Sequence, residues 1–152
     1  MVESDFAIAI KKSIEKAFPG SFVWRPHDGY TLGLPDVMAV MRDFRPYSGD
    51  GGGLRCLAVE VKQLQRFLDG PFTPGRRTAP LLHHPFTGPQ ISTMNKMAGA
   101  GVEVWGLVQV TAGAAFRIRP ENIPKEGNFT HEELVRVGTL IERLSGMWAF
   151  WH

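Results

Sequence analysis

Two stretches of the chain place acids where strands should be apolar. Asp36 follows Pro35 at the head of the run Val37-Met38-Ala39-Val40-Met41, and Glu60 stands between Val59 and Val61 with Lys62 two residues on. Side chains alternate along a strand, so Glu60 and Lys62 share a face while Val61 points the other way. Burying a carboxylate and an ammonium is costly. Either the pair is a structural ion bridge on a half-exposed strand, or it performs a task that offsets the cost. A Glu-x-Lys triplet alone favours the bridge. Asp36 on the preceding strand and Gln90 at the start of the following helix favour the task. If the two strands are neighbours, the carboxylates of Asp36 and Glu60 converge on one point. Two converging carboxylates with no arginine between them suit a hard divalent cation. Mg²⁺ takes one or two carboxylates and keeps waters and phosphate oxygens as its other ligands. Such a cation lowers the pKa of a bound water and stabilises charge on a phosphate. Lys62 beside it would orient or deprotonate the attacking water, or neutralise the phosphate.

The elements that must carry these residues follow from periodicity. Phe6, Ile10 and Ile14 recur at helical spacing over Asp5 to Phe18, and Pro19-Gly20 ends that helix. Ser21 to Arg25 is a short strand stopped at Pro26, and Asp36 to Met41 is an apolar one. Leu54 to Lys62 alternates with apolar residues on both faces, which predicts a central strand covered on both sides. Gln90 to Ala100 is a helix with Pro89 near its first turn. Val102 to Val110 and Ala115 to Arg119 are strands. A last helix, about 130–145, is capped by Thr130 with Glu133 and carries the stripe Leu134, Val137, Leu140, Ile141 and Leu144. The predicted order is α-β-β-β-α-β-β-α: one α/β domain over 1–152, with a central mixed β-sheet flanked by helices.

Composition narrows the class. With 152 residues, 43% hydrophobic and 21% charged, the chain reads as one soluble domain. One cysteine excludes an internal disulfide and a multi-cysteine zinc module, and fits a reducing, cytoplasmic setting. No apolar run approaches the ~20 residues of a membrane span, and the acidic start Met1 to Asp5 is unlike a signal peptide. The net charge of +2 conceals an asymmetry. A segment at about 63–89 is Pro-rich, irregular and basic, with Arg76, Arg77, His83 and His84, and Lys96 follows it. From Pro120 onward acids outnumber bases. A local basic stretch can hold phosphate on a nearly neutral chain, although solvated surface arginines are the plainer reading of charge alone. A zinc site at His83-His84 lacks a cysteine or acid at ligand spacing. Cys56 lies in a strand that reads as buried, which suits a structural thiol. The loop Ser48 to Gly53 lacks the Lys-Ser/Thr of a phosphate loop.

Gly33-Leu34-Pro35-Asp36, then Glu60-Val61-Lys62, then Gln90 ahead of Ala100-Gly101-Val102-Glu103-Val104-Trp105, resembles the PD-(D/E)xK nuclease superfamily. The pattern is most similar to the virus-type replication-repair nuclease (VRR-NUC) domain and to Holliday-junction-resolvase-like enzymes. The resemblance runs from about Glu3 to Val110 and implies a restriction-endonuclease-like fold. It implies that Asp36 and Glu60 bind the metal, with the backbone carbonyl of Val61 as a third ligand. It further implies that Lys62 handles the nucleophilic water and that Gln90 supports the lysine or the water. The family tends to add a glutamate from its first helix; Glu3, spaced with Ala7, Ile10 and Ile14, fits better than Glu15, which lies beside Lys11 and Lys12. The departure is the long connector at about 63–89.

The expectation is thus a Mg²⁺-dependent DNA endonuclease, with Mn²⁺ able to substitute, leaving 5′-phosphate and 3′-hydroxyl ends. Structure-selective cutting of branched or flap DNA in replication, recombination or repair, in a phage or bacterium, fits the resemblance. Arg25, Arg76, Arg77, His83, His84 and Lys96 are the candidate DNA contacts. The alternatives are a sequence-specific restriction-type or RNA-cutting nuclease, and a non-cleaving DNA-binding or assembly subunit with the same fold. The aromatic tail Trp148 to Trp151 offers a surface for a homodimer, or else packs as core.

Overall fold

The computed structural model describes residues 3–26, 33–43, 53–63, 66–67, 70–71, 86–111, 114–124 and 131–141. Helix α1 (Glu3–Ala17) is followed by strands β1 (Phe22–Trp24), β2 (Val37–Asp43) and β3 (Gly53–Gln63). A minute hairpin of β4 (Arg66–Phe67) and β5 (Gly70–Pro71) lies in the basic segment. Then come helix α2 (Gly88–Gly99), strands β6 (Glu103–Thr111) and β7 (Ala114–Ile118), helix α3 (His131–Val137) and strand β8 (Gly138–Ile141). The main sheet has six strands in the order β1-β2-β3-β6-β7-β8. Among the described residues only β3 and β6 run parallel, and α2 is the crossover between them.

Each face of the sheet has its own core. On one, Phe6, Ile10 and Ile14 of α1 pack on Val37, Leu57, Val59, Val61 and Leu107. On the other, Ile91 and Met94 of α2 join Ala58, Val104, Val108, Phe116, Ile118 and Leu134. The central position of β3 follows: its neighbours are β2 and β6, and both of its faces are covered. The Lys11–Glu15 bridge at 2.9 Å turns Glu15 to the outer side of α1.

Two sequence expectations need correction. The last helix does not run to 145 as a unit: it stops at Val137, and Gly138–Ile141 turns into a strand paired with β7. The apolar stripe misled because Val137, Leu140 and Ile141 fit a helical face, while Thr139, Leu140 and Ile141 also suit a strand. Gly138 decides the outcome. A Cβ there would lie 2.8 Å from the Leu134 carbonyl oxygen and 3.2 Å from the Phe116 ring, so only glycine lets the chain leave the helix so close to β7. The strand satisfies backbone groups of β7 that would otherwise be an open edge. Thr130 and Leu144 lie outside the described residues, as does the Trp148 to Trp151 tail. The second correction is Cys56, which is half-buried, because its row of the sheet extends past the cover of α2.

Candidate active site

The β2–β3 register pairs Val37 with Val59. Continuing it by one residue sets Asp36 opposite Glu60, on the face that α2 covers. Asp36 is held there by the amide of Val61, which donates to its Oδ2 at 2.8 Å. Glu60 is only 2% exposed. Its other neighbour in the sheet is Gly106, and the Phe86 ring occupies the space a side chain at 106 would need, 2.7 Å from the position of a Cβ. An aromatic wall therefore helps to keep water from Glu60.

The start of α2 supplies the third member. Thr87 caps the helix: its Oγ1 accepts from the amide of Gln90 at 3.3 Å, and the Gln90 Oε1 accepts from the amide of Thr87 at 2.9 Å. With Oε1 committed to the cap, the amide nitrogen must face the sheet, and Nε2 donates to Glu60 Oε1 at 3.0 Å. The helix was expected to begin at Gln90; the Thr-x-x-Gln capping box starts it at Gly88. The orientation this gives the glutamine depends on Glu60, which comes from a distant element. Gly33 ties the Asp36 turn to the same helix. It has φ +79°, and a Cβ there would lie 2.5 Å from the Pro89 carbonyl oxygen and 2.9 Å from Thr93 Oγ1. Lys62 completes the group, with Nζ 3.6 Å from Glu60 Oε1 and a mostly buried side chain.

The electrostatics follow from this crowding. Burial, above all, and then the nearby charge of Asp36 push the Glu60 carboxyl up to about 9, against the pull of Lys62. Oε1 has Gln90 and Lys62, but the buried Oε2 has no hydrogen-bond partner. Two carboxylates face each other with no donor between them. A shared proton or a cation is needed to satisfy both, so the donor set fits a divalent metal ion. Among the described residues no group of three or more acidic, histidine or cysteine side chains could hold a metal. Two carboxylates suit an ion that keeps water and phosphate oxygens as ligands.

The remaining expected residues fall outside this group. Val61 is buried on the α1 side, with its backbone between Glu60 and Lys62. Glu3 opens α1, and its side chain lies outside the described part of the structure. Arg25 is exposed just past β1. Lys96 is exposed six residues along α2 from Gln90, roughly 9 Å at the helical rise. Arg76, Arg77, His83 and His84 lie outside the described residues.

No protein-family model matches the chain, and no protein of curated function matches its sequence. Among solved structures it is similar to Hjc of Archaeoglobus fulgidus, a Holliday junction resolvase from an archaeal hyperthermophile. The TM-score is 0.54 at 18% identity, over 89% of this chain and 93% of that one. The fold is restriction-endonuclease-like. On this restriction-endonuclease-like fold the Asp36, Glu60, Lys62 and Gln90 side chains meet where β2 begins, β3 ends and α2 starts.

Proposed function

We propose that the protein is a metal-dependent endonuclease that hydrolyses phosphodiester bonds in branched DNA, as in recombination or repair. The observation that carries this reading is the buried Glu60 facing the half-buried Asp36, with an unsatisfied Oε2 on Glu60, braced by Gln90 and flanked by Lys62. The likeness to an archaeal Holliday junction resolvase supports the choice of substrate class. Asp36 and Glu60 would hold Mg²⁺ or Mn²⁺, with the backbone carbonyl of Val61 as the further ligand that the resemblance implies. Such an ion, when bound, acidifies water and stabilises charge on a phosphate.

The chain's own residues supply the rest. Lys62 Nζ orients the attacking water and offsets charge on the scissile phosphate. Gln90 Nε2 fixes the rotamer of Glu60 by its hydrogen bond to Oε1, as outer partners do for ligating carboxylates. The Val61 amide does the same for Asp36. Phe86 limits water access, which strengthens these interactions.

The experiment is a cleavage panel of linear duplex, flap and four-way DNA, with Mg²⁺, with Mn²⁺ and with chelator. The expected result is metal-dependent cutting that favours the branched substrates and leaves 5′-phosphate ends. Metal-dependent cutting of linear DNA at one sequence, or of RNA alone, would replace the substrate class. DNA binding without cleavage in either metal would identify a non-cleaving subunit.

A further inference from the structure

The face of the sheet that carries Asp36 and Glu60 continues beyond the cover of α2, toward the β1 edge. The pairings order it in rows. Trp24, Met38 and Ala58 form the row beside Asp36 and Glu60; Phe22, Val40 and Cys56 form the next. Rows on one face are two residues apart, about 6.6 Å, so the aromatic pair begins one row from the carboxylates. Phe22 is 67% exposed, and its ring centroid lies 5.1 Å from that of Trp24 at a tilt of 40°. An exposed Phe22 ring tilted against the half-buried Trp24, one row from Asp36 and the buried Glu60, makes an apolar surface patch of the kind that marks a binding site.

We propose that Phe22 and Trp24 form a stacking platform for unpaired bases of the DNA strand that enters the Asp36–Glu60 site. This rests on the nuclease reading and specifies its substrate: a strand whose bases are unstacked next to the cut. Three observations favour bases as the occupant. Every base offers a π-face that an exposed ring can stack on without sequence preference. Trp24 stands one row and Phe22 two rows from the carboxylates, about 6.6 and 13 Å along the strands, a spacing that suits successive bases of one strand. The platform also lies between cations: Arg25 is exposed just past Trp24, and Arg42 is exposed on the same face beyond Val40. Both are placed to meet phosphates. A second copy of the chain pairing along this edge is disfavoured, because β1 has three residues and Pro26 follows it closely.

The test measures binding, without metal, to labelled single-stranded, flap and fully paired DNA by fluorescence anisotropy, using the full chain and its Phe22→Ala, Phe22→Tyr and Phe22→Leu variants. Stacking losses on alanine substitution run to roughly 5–150-fold per base. The expected result is about tenfold weaker binding of Phe22→Ala to single-stranded and flap DNA, with duplex affinity and melting temperature unchanged, and recovery in Phe22→Tyr. Unchanged affinity, an equal loss on duplex, full recovery by Phe22→Leu, or a dimer in sedimentation that Phe22→Ala dissociates would each overturn the platform. Cleavage measured in parallel separates the two claims. A wild type that cuts, with Phe22→Ala binding normally, removes only the platform. A wild type that never cuts, with the selective binding loss intact, removes only the nuclease reading.

Discussion

Glu60 shows what the proposed site costs the metal-free fold. Its carboxyl is buried beside a second carboxylate, and one oxygen has no partner. An amide of the same shape provides a donor toward Asp36 without having to take up a proton on folding. Glu60→Gln is therefore expected to raise the melting temperature of the metal-free protein while abolishing its response to Mg²⁺, as read by thermal denaturation with and without the ion. These residues were legible in the sequence because Asp36, Glu60 and Lys62 stand out from Val37, Val59 and Val61, and because Asp36 and Gln90 weigh against the plain ion bridge that Glu-x-Lys alone favours. Phe22 was not legible as a surface residue. Phe22-Val23-Trp24 reads as a plain strand, and only the pairing with β2 shows which face is left uncovered.

At the scale of elements, the start of α2 and the Asp36 turn must meet. Gly33 makes this possible, since its φ of +79° and its contact with Pro89 leave no room for a side chain. Gly33→Ala is expected to cost more than about 1 kcal/mol of stability in denaturant titrations, because it adds a left-handed alanine to a backbone clash. Activity should fall with it, since both Asp36 and Gln90 shift. Gln90→Glu separates the cap from the site. Glutamate also completes a capping box, so helix content by circular dichroism should hold, while the lost donor to Glu60 should lower cleavage about 10–100-fold. The C-terminal segment shows where periodicity misleads at this scale. Leu134 and Val137 obey a helix, but the residues after Gly138 obey the need of β7 for a partner, which no local pattern encodes. Apart from the two-residue strands β4 and β5, which fall in a segment that reads as irregular, the rest of the order was readable because α1, β3, α2 and β6 are long enough for their periods to be unambiguous.

Over the whole molecule, stability, pH and the proposed metal would be linked through the same carboxyl. Its ordinary value of 4.5 is raised to about 9 in the fold. Below 4.5 the proton is bound in both folded and unfolded chains. Between 4.5 and about 9 the unfolded chain has released it and the folded chain retains it, so stability contributed by this group falls as pH rises. The melting temperature of the metal-free protein relative to that of Glu60→Gln should therefore decline from pH 5 to pH 9. Binding of a cation requires the proton to leave, so added Mg²⁺ should stabilise the protein more at pH 8 than at pH 6. These trends test the coupling, but cleavage tests the site itself. The most direct measurement is the single-turnover rate of Mg²⁺-dependent cutting of a four-way DNA junction by the wild type, Asp36→Asn and Lys62→Ala, with folding checked by melting. Lys62→Ala is expected to lose about 10²–10⁴-fold and Asp36→Asn at least as much, with both still folded. Cutting by either folded variant at the wild-type rate would overturn the assignment of the site.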